Sequence, residues 1–91
     1  MYKVILSDQA KRDYAFFVKS GNQKITKKII SLLKELEEHP FSGTGKPEQL
    51  KYALTGYWSR RINSEHRIVY RVDGEKVEVL VLTMRYHYYI G

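Results

Sequence analysis

Polar and apolar residues alternate most regularly between Gly56 and Val72, in the run GYWSRRINSEHRIVYRV. Trp58, Ile62, Ile68, Tyr70 and Val72 are strand formers, and Asn63-Ser64-Glu65 interrupts them with a polar break. The stretch predicts a β-hairpin. With those three residues as its loop, Ile62 faces His66, Arg60 faces Ile68, Trp58 faces Tyr70 and Arg61 lies opposite Arg67. A period of two then gathers Trp58, Ile62, Ile68, Tyr70 and Val72 on one face with the stem of Arg60. Ser59, Arg61, Arg67, Val69 and Arg71 share the other. Like charges placed directly opposite one another destabilise a sheet. A bound anion would account for the paired arginines, and a merely solvated basic face is the plain alternative.

The rest of the pattern is read outward from this hairpin. Tyr2 to Leu6 is a short strand, and Ser7 or Asp8 is a suitable helix N-cap. Ala10, Tyr14, Phe17 and Val18 recur at helical spacing, which predicts a first helix to about Lys19 that Ser20-Gly21 ends. Asn22 caps a second helix to about Glu38, with Ile25, Ile29, Leu32, Leu33 and Leu36 as its apolar stripe. Lys24, Lys27, Lys28 and Lys34 line its wet side. So short a link folds the two helices into an antiparallel pair. Pro40 stops the second helix, and PFSGTGKPE from Pro40 to Glu48 reads as a loop. Gly43-Thr44-Gly45-Lys46 lacks the spacing and context of a phosphate loop. Gln49 to Leu54 is a short strand or turn carrying Lys51 and Tyr52. After the hairpin, Asp73-Gly74 reads as a tight turn. Val77 to Leu82 reads as a central strand covered on both faces.

The expected fold is α+β: two N-terminal helices packed on one face of a small antiparallel sheet. The helices cover the Trp58/Tyr70 face and leave the Arg61/Arg67 face open. No repeat or linker divides residues 1–91, so one domain is expected.

Composition narrows the chemistry. There is no cysteine, hence no disulfide or thiolate. His39, His66 and His87 lack metal-ligand spacing, so no metal or cofactor is expected. No apolar run approaches the ~20 residues of a membrane span, and Met1 leads into a strand, not a signal peptide, so a cytoplasmic, membrane-free protein is expected. Sixteen Lys and Arg against ten Asp and Glu give a formal charge of +6. Glu35, Glu37 and Glu38 cluster at one helix end, whereas Arg60, Arg61, Arg67, Arg71 and Arg85 lie in the strand-rich half. That asymmetry favours a binding face for nucleic acid or an acidic protein.

Four runs in order carry a resemblance: Gly45-Lys46-Pro47-Glu48-Gln49-Leu50-Lys51, Leu54 through Ile62, Glu65 through Tyr70, and Arg85-Tyr86-His87-Tyr88. With Ser7, the first helix and Pro40-Phe41, they make the chain similar to the YoeB/Txe toxins of the RelE superfamily, from bacterial toxin–antitoxin systems. The resemblance implies a ribosome-dependent endoribonuclease, an mRNA interferase that cuts mRNA in the decoding site and so inhibits translation. It implies mRNA and the ribosome as partners, together with a cognate antitoxin whose acidic, partly disordered segment holds the toxin inactive. A homodimer and a toxin–antitoxin hetero-oligomer are both open. The family's proposed catalytic glutamate matches Glu48, its key arginine Arg67, and its C-terminal histidine and tyrosine His87 and Tyr88. Lys51 and Arg61 match basic residues of the RNA-facing surface. Family chains often stop near the residue matching Tyr88, and this one adds Tyr89, Ile90 and Gly91.

Metal-free RNA cleavage uses the 2′-hydroxyl against its own 3′ phosphate. It needs a base, cations for the pentavalent phosphate and an acid for the leaving 5′ oxygen. On the resemblance, Glu48 is the candidate base, Arg67 the charge stabiliser with Arg61 in support, and His87 the candidate acid. Tyr88 and Tyr86 would stack on a base or orient the phosphate. Arginines beside a carboxylate favour its less basic, ionised form, so Glu48 fits equally as an orienter of Arg67 or of the 2′-hydroxyl. His66 reads as a structural hydrogen-bond partner. Two other classes stay open: a non-catalytic RNA- or antitoxin-binding module, and a ParE-like topoisomerase poison. The poison has no need of an acid and a base.

Overall fold

The chain begins on the edge of a sheet and returns to that edge near its end. The structure is a computed structural model describing residues 1–85. Strand β1 (Lys3–Leu6) leads into helices α1 (Asp8–Lys19) and α2 (Gln23–Glu38), followed by β2 (Glu48–Gln49), β3 (Trp58–Arg61), β4 (Arg67–Asp73) and β5 (Glu78–Thr83). Both helices start on the residues whose side chains can cap them. Ser7 Oγ accepts from Ala10 N at 3.0 Å, and Asn22 Oδ1 from Ile25 N at 3.1 Å. Gly21, at φ 72°, makes the turn between them.

The strand order is β1-β5-β4-β3-β2. Strands β2 to β5 pair antiparallel, as expected, and β1 adds a parallel edge against β5, with Lys3 beside Glu78 and Leu6 beside Val81. The β3–β4 register is the one the alternation predicts: Trp58 pairs with Tyr70, Arg60 with Ile68 and Arg61 with Arg67. Ile62 N donates to His66 O at 2.9 Å, which closes the hairpin around Asn63–Glu65.

Both helices lie on the Trp58/Tyr70 face. Ala10, Phe17, Ile25, Ile29, Leu32 and Leu36 meet Ile62, Ile68, Tyr70, Val79, Val81 and Met84 in one buried cluster. Each Val, Leu, Ile, Phe or Met among them contributes roughly 1.5–3 kcal/mol on full burial.

Several expectations need correction. Val18 points outward at 53% exposure, and the inward place on α1 goes to Asp13. Trp58 is half-buried at the border of the core, its ring 5.2 Å from that of Phe41. Its truncation therefore costs less than the ~3–5 kcal/mol of a fully buried aromatic. Glu48 belongs to β2, not to the preceding loop. The β4–β5 turn spans residues 74–77 instead of two residues. Asp73 Oδ1 accepts from both Glu75 N and Lys76 N, and this Asx arrangement displaces the tighter turn. Strand β5 is interior, yet Leu80 and Leu82 remain half-buried on its second face.

The second face is not uniformly open either. Arg61 and Arg71 are exposed and Arg67 is half-buried, but Ser59 and Val69 at its centre are buried. Leu50 is buried as well, and like Val69 it stands outside the main core cluster.

Candidate functional site

Strand register places three of the expected residues on one face. Glu48 pairs with Ser59 across β2–β3, and Arg61, two residues along β3, pairs with Arg67 on β4. Residues two apart on a strand share a face, so Glu48, Ser59, Arg61 and Arg67 all project on the side away from the helices. Directly opposed Cβ atoms lie about 5 Å apart. From strand spacing and rise, the Glu48 and Arg67 backbones are about 12 Å apart. Two long side chains reaching over that distance leave room between them for a group the size of a ribose phosphate. In such an arrangement a carboxylate can take a proton on one side of the group while the two guanidinium groups hold its anionic charge on the other.

Glu48 owes its place to a buried network built on Arg60, a residue whose stem the strand alternation set on the core side. Arg60 is fully buried on the core side. Its Nε donates to Tyr70 Oη at 3.1 Å and its Nη1 to Glu35 Oε1 at 2.9 Å and to Thr44 O at 3.4 Å. Its Nη2 donates to Ser42 O at 2.7 Å and to His39 O. Tyr70 Oη donates in turn to Pro40 O at 2.7 Å. A single side chain thus gathers the end of α2 and the loop over residues 40–46, which delivers Glu48 to the sheet edge. Glu35 secures the same loop by accepting from Thr44 N and Thr44 Oγ1. Gly43, at φ 113°, leaves the space these contacts fill: a Cβ there would stand 1.7 Å from Glu35 Oε1. Arg61 N donates to Gly45 O at 2.7 Å, which fastens the loop to β3.

Two titrations follow from this network. Burial pushes the Glu35 carboxyl upward, but hydrogen bonds from Thr44 and the Arg60 guanidinium outweigh it and hold the group below its ordinary 4.5. Burial raises the Tyr70 hydroxyl above its ordinary 10.0, against the opposing pull of Arg60.

The other expected residues divide by position. Lys51 is exposed next to a short 3₁₀ turn, Tyr52–Leu54. Tyr86, His87 and Tyr88, with Tyr89 to Gly91, lie outside the described residues. His66 is buried against Phe17, ring centroids 5.0 Å apart, with Nε2 3.3 Å from Glu65 Oε1, which is a structural placement. Arg85 sets its guanidinium carbon 3.4 Å from the centre of the Phe16 ring, so it too leaves the basic face. Among the described residues, no cluster of three or more His, Asp or Glu side chains is arranged for a metal ion. A groove of about 550 Å³ opens elsewhere, lined by Asn22, Lys24, Ile25, Lys27, Lys28, Ile62 and Asn63.

Sequence reasoning set the Arg60 stem inward but missed its pairing with Glu35, and it missed Asp13. The available signal was a charged residue at an inward position of the hairpin, which must find partners if it is buried.

Comparison with known proteins agrees with this architecture. The family described as "YoeB-like toxin of bacterial type II toxin-antitoxin system" matches residues 6–88. Toxin YoeB of Escherichia coli K12 is 44% identical over 86 residues, covering 94% of this chain and 99% of the relative. A YoeB/ParE toxin from Agrobacterium tumefaciens superposes with a TM-score of 0.88 at 41% identity, over 94% of this chain and 99% of that one. A chain of the heterotetrameric YoeB–YefM toxin–antitoxin complex of Staphylococcus aureus gives 0.81 at 44% identity, over 97% and 99%. Two helices backing a sheet thus recur in the toxin class of bacterial type II toxin–antitoxin systems. Within that class, the chain belongs to the YoeB-like toxins.

Proposed function

We propose that this toxin is a ribosome-dependent endoribonuclease that cleaves mRNA in the decoding site without a metal. The observation that carries the reading is the strand register that sets Arg61 opposite Arg67 on the face shared with Glu48. The ribose 2′-oxygen attacks the adjacent phosphorus and Glu48 takes its proton. Arg67, with Arg61, stabilises the charge gathering on the pentavalent phosphate. The P–O5′ bond breaks, His87 gives a proton to the departing 5′ oxygen, and a 2′,3′-cyclic phosphate and a free 5′-hydroxyl result. Lys51 binds the RNA backbone, and Tyr86 and Tyr88 hold the nucleotide. The role of His87 and both tyrosines rests on the family motif.

The toxin's second partner is a cognate antitoxin, as YefM is for the S. aureus protein. An acidic, partly disordered segment suits exposed Arg61 and half-buried Arg67, and it competes there with RNA.

Cleavage of mRNA on purified ribosomes, assayed beside topoisomerase inhibition, tests the assignment. His87→Gln should lose about 10²–10⁴-fold in rate while still binding ribosomes. Arg67→Ala should be at least as damaging. Unchanged cleavage in both variants removes the assignment. RNA bound but left intact favours a binding module, and topoisomerase inhibition without cleavage favours a poison.

A further inference from the structure

We propose that Ser59 is a positioning residue for Glu48, its hydroxyl holding the carboxylate in place over the sheet once RNA is bound. Ser59 stands on β3, on the face away from the helices, where Glu48 pairs with it from β2 and Val69 from β4. It is fully buried, and its Oγ has no hydrogen-bond partner among the described residues. Its apolar neighbours offer none. Val69 is buried opposite it, and Leu50, two residues beyond Glu48, is buried where its N donates to Tyr57 O at 2.9 Å and carries the pairing onward. A buried hydroxyl left unpaired is destabilising, and nearly every such group in a folded protein finds a partner. Alanine would fill the same place without that cost. The oxygen of Ser59 therefore does nothing for the fold, which points to a use in the working site.

Glu48 is the group placed to use it. Directly opposed side chains on paired strands start about 5 Å apart at Cβ, within reach of a hydrogen bond between a hydroxyl and a longer partner. Glu48 is exposed, and among the described residues no side-chain hydrogen bond or ion pair holds its carboxylate. An unheld carboxylate and an unused donor thus face each other across β2–β3. In the free protein, water solvates the carboxylate and the hydroxyl has nothing to offer that water lacks. A ribose phosphate between Glu48 and Arg67 displaces that water. Ser59 Oγ then donates to one oxygen of Glu48, a charge-assisted bond, and leaves the other oxygen to take the 2′ proton. The bond also refers the base to β3, the strand that carries Arg61, so base and cation share one frame. A misplacement of about 1 Å can cost on the order of 10²-fold in rate.

The proposal rests on the ribonuclease reading, and one set of measurements separates the two. On purified ribosomes programmed with mRNA, Ser59→Ala should lower kcat about ten- to a hundredfold with KM unchanged, because the residues that bind RNA remain. In a Glu48→Ala chain, followed in single turnovers, the same change should cost little more, since the group it holds is gone. Thermal melts give a readout free of activity. Ser59→Ala should melt at or above the temperature of the unaltered chain, because it removes an unpaired buried hydroxyl. A chain that is slower yet no less stable is the signature of a residue kept for the site. A lower Tm would show the oxygen serving the fold and overturns the proposal. Cleavage at the full rate overturns it, and so does a loss that recurs in full without Glu48. A change confined to KM would make Ser59 an RNA contact and overturns it as well. If the unaltered chain cuts no RNA, the ribonuclease reading itself fails, and the positioning role falls with it.

Discussion

A guanidinium offers five N–H donors in a fixed plane, and around Arg60 stand five acceptors from Glu35, Tyr70, His39, Ser42 and Thr44. The lysine ammonium has three donors and no plane, so Arg60→Lys should not restore what Arg60→Ala removes. Breaking a buried pair of this kind costs about 3–5 kcal/mol, and urea denaturation of Arg60→Ala should show a loss of that size. A loss under about 1 kcal/mol would mean that the neighbouring carbonyls find water instead. The partner Glu35 adds a pH dependence. Its folded pKa is depressed, so the stability it contributes is present above the unfolded value, near 4.5, and is lost as pH falls through the lower folded one. Urea midpoints measured on either side of that value should fall less steeply for Glu35→Gln than for the unaltered chain. Equal slopes would place the acid sensitivity elsewhere. At this scale the sequence told less than at any other. Period-two alternation put the Arg60 stem inward, but its ion partner lies 25 positions away on a different element, and hydropathy spacing does not encode which charges meet.

Single elements were easier to read than their connections. The hairpin register follows from three facts visible in the chain: a polar break, β-branched and aromatic runs, and a period of two. The helix starts follow from Ser7 and Asn22. The parallel direction of β1 does not, because it is decided by pairing with β5 some 75 positions later. The turn after Asp73 escaped too, since one side-chain oxygen capturing two amides overrides the Asp-Gly signal. The candidate site divides the same way. Arg61 and Arg67 came within reach of sequence because register orders them, whereas Glu48, read as the end of a loop, stands with His87 and Tyr88 on the family motif. Truncation separates that segment from the scaffold. The buried cluster reaches its last described member at Met84, so chains ending at Tyr86 or at Tyr88 should both fold. The longer one should keep most of its RNA cleavage and the shorter should be nearly inactive, with thermal melts as the control. Normal cutting by the chain ending at Tyr86 would dismiss His87 as the acid.

At the scale of the molecule, the +6 charge is less widely available than its count suggests. Arg60 is committed to the interior and Arg85 to the Phe16 ring. Arg61 and Arg71 remain exposed and Arg67 half-exposed on the face opposite the helices. If RNA and the antitoxin share that surface, Arg61→Glu should weaken both. Ribosome binding should lose part of its salt dependence, and antitoxin affinity should fall in a titration. A variant that loses only one partner would assign the two to separate surfaces. The pairing of β1 with β5 has its own consequence for how such a toxin comes into being. The first strand has no neighbour in the sheet until the fifth has been synthesised, so both helices must wait with their apolar stripes unmatched by β4, β5 and Met84. A nascent chain therefore lacks a complete core to hold the face of Arg61 and Arg67 until β5 has emerged from the exit tunnel.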